Sequence, residues 1–117
     1  MQEQGLKVSL LASGSSGNAT YIETPKQKIL VDCGLTGKAI TAQMEKIDRS
    51  ISDVDAILVT HEHSDHIAGV PQMIKQMGLP IITRPNTARR LMDKFSVSAE
   101  CFQTLGTKEV TIGAVSY

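Results

Sequence analysis

His61, Glu62, His63, Ser64, Asp65 and His66 gather every histidine of the chain, with a carboxylate among them, into six consecutive residues. Neutral imidazole nitrogens together with a carboxylate oxygen are the donor set that zinc and similar divalent ions accept. His61 and His63 stand two apart and reach one ion if the backbone stays partly extended. Asp65 and His66 are adjacent and turn toward a second ion beside the first. Two ions about 3.5–4 Å apart would share a bridging hydroxide as nucleophile. Catalytic zinc brings the pKa of its water to about 7. Asp65 is the candidate to orient that hydroxide or to take its proton. Glu62 and Ser64 alternate with the ligands and serve the loop geometry. The competing reading is a solvated polar loop with histidines by chance, and the spacing directly behind an apolar run speaks against it.

That run, Ala56 to Thr60 (AILVT), is short and continuous, as expected of a strand buried on both faces. Ligands in layered α/β folds collect beyond the carboxyl ends of strands, where this cluster begins. Upstream, residues 7–12, 19–23 and 28–32 read as strands of an antiparallel meander, the last two joined by a Thr24-Pro25-Lys26 turn. Residues 1–5 are polar and expected to fray. Residues 13–18 (SGSSGN) have no periodicity and form a turn or loop. Ile40, Met44 and Ile47 recur at helical spacing within residues 38–47, with Thr36 as the N-cap. Ile67, Val70, Ile74 and Met77 mark a second helical stretch, in which Pro71 starts a new piece and Gly78 ends it. Residues 79–83 read as a strand, and Asn86 as the cap of a helix over 87–94. Two weak strands are expected around 101–105 and 109–115. Strands first, then strands alternating with helices, give an α/β layered fold (α+β layering) with a mixed sheet.

The chain has 117 residues, enough for one domain with a real core. Apolar residues make up 41% and charged residues 21%, the proportions of a globular protein. Aromatics are only 3%, so the core must be aliphatic. A net charge of zero argues against a strong general pull toward nucleic acid or anionic lipid. No apolar run reaches the ~18 residues of a membrane span, and the N-terminus lacks a signal-peptide core. Cys33 and Cys101 form no paired metal motif and read as reduced thiols of a cytoplasmic protein.

The stretch THEHSDHIAG resembles the HxHxDH signature of the metallo-β-lactamase superfamily, matching at His61, His63, Asp65 and His66. Asp32 in ILVDCG matches that family's acidic residue at a strand end. The resemblance gives it the role of supporting the ligand loop from behind; a plain strand-end turn residue is the alternative. LASGSSGNATYIE followed by ILVDCGL is similar to the exonuclease-like (YycJ/WalJ-type) subgroup, whose members are metal-dependent hydrolases. The resemblance spans residues 6 to 95. It implies one half of an αββα sandwich, a mixed sheet with helices on one face. It also implies two divalent ions, zinc or manganese, and hydrolysis of a phosphodiester in an exonuclease-like manner by metal-bound hydroxide. Hydrolysis of a small ester, lactone or thioester is a related possibility.

The chain departs from the family pattern in one respect. No histidine follows His66, and Asp93 is the only later aspartate. The family takes further ligands from its second half, so residues 1–117 read as a single truncated domain, the N-terminal half. A partial or empty metal site is expected, as is an exposed apolar sheet face that a two-fold dimer would cover. A catalytically inactive half-domain that self-associates is therefore the rival to an active enzyme.

Weaker signals surround the cluster. Ser15, Ser16 and Asn18 offer a loop that lines the site and holds a phosphate, or else only a hairpin connection needing glycines. Cys33 reads as a small buried thiol, and Met44, Met73, Met77 and Met92 as core filling. Arg84, Arg89, Arg90 and Lys94 form a basic cluster that suits a nucleic-acid backbone or simply a solvated helix face.

Overall fold

The computed structural model of the chain describes residues 6–14, 17–60, 64–104, 111–112 and 115–116; for 64–65, 111–112 and 115–116 it describes the backbone alone. Strands β1 (Lys7–Ala12), β2 (Ala19–Glu23) and β3 (Lys28–Val31) form the antiparallel meander expected from the sequence. Helix α1 (Gly37–Lys46) follows, with the Thr36 hydroxyl accepting from the Ala39 amide at 3.3 Å as its N-cap. Then come β4 (Ala56–Leu58), α2 (Ser64–Ile67), α3 (Val70–Met77), β5 (Ile81–Thr83), α4 (Pro85–Phe95) and β6 (Phe102–Thr104). Two short strands, β7 (Thr111–Ile112) and β8 (Val115–Ser116), pair with each other in a separate ribbon.

The six-stranded sheet runs in the order β1-β2-β3-β4-β5-β6. It is mixed: β3 through β6 are parallel neighbours, and β2 runs against them. Consequently β1, β3, β4, β5 and β6 all end at the same edge of the molecule. The loop after β1, Asp32, Thr60 and Arg84 therefore gather there.

Register sorts the strand residues into two faces. Tyr21, Leu30, Ile57 and Ile81 lie in one row across the strands. They join Ile40 and Met44 of α1, Ile67 of α2, Val70 and Met73 of α3 and Leu91 of α4 in the main core. The opposite row holds Val8, Ile22, Ile29, Ala56 and, one step on, Val31, Leu58 and Ile82. That second cluster is built from strand residues only. Its β1 end is bare: Leu6, Val8 and Leu10 are 68%, 59% and 68% exposed. Helices on one face of a mixed sheet is the arrangement the sequence implied.

At the far end of β2, the buried Tyr21 hydroxyl donates to Glu23 at 2.8 Å, and Arg49 donates to the same carboxylate at 2.6 Å. The Arg49 hydrogen bond, then that of Tyr21, holds the Glu23 carboxyl below the usual carboxylate range.

Several boundaries differ from the sequence expectation. β3 stops at Val31 rather than 32 because Asp32 turns to φ 63°, a left-handed backbone that ends the ladder. β4 stops at Leu58, and Val59 and Thr60 lead out of the sheet toward the histidine cluster. β5 starts at Ile81, since Pro80 has no N–H to give a ladder; its carbonyl accepts from Ile57 instead. Asn86 is not a helix cap. Pro85, with φ already set for the first helical position, starts α4 and leaves Arg84 as N-cap. Asn86 then lies in the first turn, where its side-chain oxygen accepts from Arg89. Pro71 does open a second helical piece, and Gly78 ends it in the left-handed conformation at φ 62°.

Candidate metal centre

Asp32 is the hub of this end of the sheet. Its side chain is buried, and its two oxygens accept three hydrogen bonds from residues far along the chain. Oδ1 accepts from the Thr60 amide at 2.8 Å. Oδ2 accepts from the Thr60 hydroxyl at 2.7 Å and meets His66 Nδ1 at 2.7 Å. An ionised carboxylate only accepts, so the shared proton belongs to Nδ1. This fixes the imidazole tautomer and assigns the lone pair of the neutral ring to Nε2. A carboxylate behind a histidine in this manner is the usual support of a metal-ligating ring, orienting it and raising its basicity.

Backbone bonds repeat the same junction. The Asp32 amide donates to Leu58 O at 2.7 Å, the Cys33 amide to His66 O at 2.9 Å, and the Gly69 amide to Cys33 O at 2.8 Å. The turn after β3 is thus stitched to the end of β4 on one side and to α2 on the other. One carboxylate holds both Thr60 and His66, the residues on either side of 61–65 in the sequence. Gly69 is required by this closeness. A Cβ there would collide with the Leu35 carbonyl oxygen and stand 2.8 Å from Cys33 Sγ.

Of the residues singled out in the sequence, Asp32 and His66 are brought into contact. His61, His63 and the side chain of Asp65 lie outside the described residues, as do Ser15 and Ser16. Asn18 is placed: its amide binds Gly14 in both directions, accepting from the Gly14 amide at 3.1 Å and donating to the Gly14 carbonyl at 2.9 Å. Its backbone carbonyl accepts from the Gly34 amide at 2.9 Å, pinning the loop after β1 against the turn that carries Asp32. This side chain therefore shapes the loop after β1. Cys33 is fully buried, and burial, with the Asp32 charge second, pushes its thiol up to about 12. It stays protonated at neutral pH.

Thr60 and Gly69 escaped the sequence reading. The signals were present but mute: a threonine immediately before the cluster, and a glycine three residues after it. Neither position reveals its partner until β3 lies beside β4. The donor chemistry at the centre fits a divalent cation, because a carboxylate-held imidazole stands at one end of a stretch rich in further nitrogen and oxygen donors.

Comparison with known proteins agrees with this geometry. The chain matches the family model of the metallo-beta-lactamase superfamily over residues 12–110. It is 53% identical over 87 residues to exodeoxyribonuclease WalJ of Streptococcus pneumoniae, covering 74% of this chain and 32% of that protein. It is 40% identical over 122 residues to exodeoxyribonuclease YycJ of Bacillus anthracis, covering 97% of this chain and 46% of that one. The chain thus spans about a third to a half of the length of these curated relatives. Among solved structures, a metallo-beta-lactamase from Cronobacter sakazakii superposes with a TM-score of 0.76 at 18% identity, over 93% of this chain and 49% of that one.

Proposed function

The chain belongs to the metallo-beta-lactamase superfamily, and from that premise we propose that its centre serves the hydrolysis of nucleic-acid phosphodiesters. The observation that carries this reading is the Asp32 clamp on Thr60 and His66, which holds both ends of the HxHxDH stretch at the edge where five strands end. Similarity to two exodeoxyribonucleases supports the substrate class.

Members of the superfamily generally bind divalent metals, and zinc or manganese fits the donors here. His61 and His63 would hold one ion, and Asp65 and His66 a second. His66 would ligate through Nε2, because Nδ1 is engaged by Asp32. Such ions, when bound, supply Lewis acidity that lowers the pKa of water and offsets charge on phosphoryl oxygens. The chain's own contribution is positional. Asp32 keeps the His66 ring in one tautomer and one orientation. Thr60, tied by both amide and hydroxyl, fixes the chain immediately before the histidine stretch. Asp65 would orient the attacking water or take its proton. The Gly34 amide, donating to the Asn18 carbonyl, holds the loop after β1 beside the Asp32 turn.

A second reading rests on the exposure of Leu6, Val8 and Leu10. It is a half-domain that self-associates and binds cation weakly without turnover. Catalytic zinc usually takes about three protein ligands, and within these residues each ion would take fewer.

One experiment separates the readings. The chain is supplied with manganese or zinc and given labelled single-stranded DNA and, separately, a panel of small esters, lactones and thioesters. Metal content is measured alongside in the wild type and in His63→Ala. Cation-dependent release of nucleotides, lost together with metal in His63→Ala, is the expected result. Turnover confined to the esters would move the substrate class. Bound metal without any turnover would favour the half-domain. Equal metal content in wild type and variant would remove the ligand assignment.

A further inference from the structure

Four cations stand on or just before α4: Arg84, Arg89, Arg90 and Lys94, all exposed. Asp93 is the one acid in this helix, so a chain of zero net charge concentrates positive charge along it. Arg84 occupies the exit of β5. Leu58 pairs with Ile82, and the Thr83 hydroxyl donates to the Val59 carbonyl at 2.9 Å. Arg84 therefore emerges one strand over from Thr60, the residue that Asp32 clamps and that directly precedes His61. From this edge α4 leads away, its Ala88 and Leu91 buried. Asn86, Arg90 and Lys94 recur every fourth residue and so share one outward ridge. Arg89 is drawn sideways onto Asn86. At 1.5 Å per helical residue, the path from Arg84 to Lys94 is about 15 Å. A stacked single strand carries about four phosphates over that length, at about 3.4 Å each.

We propose that Arg84, Arg90 and Lys94 form a phosphate-tracking ridge that guides a single nucleic-acid strand to the candidate metal centre. The inference rests on the hydrolytic reading above and adds the surface that would bind the substrate outside the reacting bond. The ridge has no exposed aromatic ring on which bases could stack. Recognition then falls on the phosphates and is blind to base sequence. Its mark is a steep dependence on salt.

The test is fluorescence anisotropy of an end-labelled oligothymidylate against the full chain, in chelator, across a sodium chloride series. Each single-strand phosphate contact contributes about 0.7 to the slope of log K against log salt. The variant Arg84→Gln/Arg90→Gln/Lys94→Gln is therefore expected to bind more weakly, with its slope smaller by about 2. A control, Lys7→Gln/Lys26→Gln/Lys46→Gln, removes the same charge. Its sites lie at the start of β1, in the β2–β3 turn and in the last turn of α1, on the β1–β3 side of the sheet and away from α4. It should keep the wild-type slope. All six positions are exposed, and thermal unfolding checks that both variants fold. An unchanged slope in the ridge variant overturns the proposal. So does an equal loss in the control, or a wild type that shows no salt-dependent binding. Hydrolysis of bis(p-nitrophenyl) phosphate, too small to reach the ridge, tests the hydrolytic reading separately and should survive in the ridge variant.

Discussion

Asp32 shows how one side chain converts strand order into a site. Its three accepted hydrogen bonds come from Thr60 and His66, at separations of 28 and 34 residues. Replacing it with alanine leaves the Thr60 donors and His66 Nδ1 without their acceptor, and water reaches Thr60 more easily than the ring. The expected cost for Asp32→Ala is about 1–3 kcal/mol, read from urea unfolding in chelator. Removal of a supporting carboxylate behind a metal-ligating histidine typically weakens metal affinity by about 10–100-fold. Titration with zinc should show a loss of that order in Asp32→Asn, which keeps the shape but not the charge. Unchanged affinity would leave Asp32 a structural turn residue, the alternative the sequence left open. The sequence named both Asp32 and His66, because a motif match fixes residue identity. It did not name Thr60, whose importance lies wholly in what stands across from it. Cys33 was legible as a buried thiol from its type alone, whereas the bonds of Asn18 to Gly14 were not, because they depend on the turn its own loop takes.

At the scale of elements, the close approach of α2 and the β3 turn depends on Gly69. The Cβ added by Gly69→Ala meets the Leu35 carbonyl and Cys33 Sγ, and neither is the far end of a flexible side chain. Overpacking of this kind costs about 1–3 kcal/mol. The substitution should lower the melting temperature and, by pushing α2 from the turn, weaken cation binding as well. A variant as stable as wild type would show that the turn yields freely. Elements with a strong local signature were readable beforehand. β1 and β2 alternate, α1 has its threonine cap, and Gly78 closes α3. Errors fell where local rules compete. At Asn86 the fixed φ of Pro85 overrode the better capping side chain, and at residues 79–80 proline removed a donor that a strand would need.

For the whole molecule, the sheet has one face under helices and one face of strand residues alone, with Leu6, Val8 and Leu10 exposed at its β1 end. Burial of apolar surface yields about 25 cal/mol per Å², and an edge strand adds unpaired backbone groups. The 117-residue chain by itself is expected to self-associate through this face. Sedimentation velocity over a wide concentration range should reveal a concentration-dependent dimer that Val8→Glu/Leu10→Lys dissolves. A monomer throughout would count against it. Layering was legible from the sequence because periodicity distinguishes strands from helices. The pairing order beyond β3 was not, since nothing local states which strand a strand will neighbour.

The long span between Asp32 and its partners also governs the order of events in folding. Closing the 28-residue loop from Asp32 to Thr60 costs about 3 kcal/mol in chain entropy, and His66 follows six residues on. The unfolded polypeptide thus contains the histidines but not their arrangement, which comes into being only with the parallel ladder between β3 and β4. Ion capture and chain collapse are then linked equilibria. A substitution that loosens the ladder far from any histidine should register as a weaker grip on the ion.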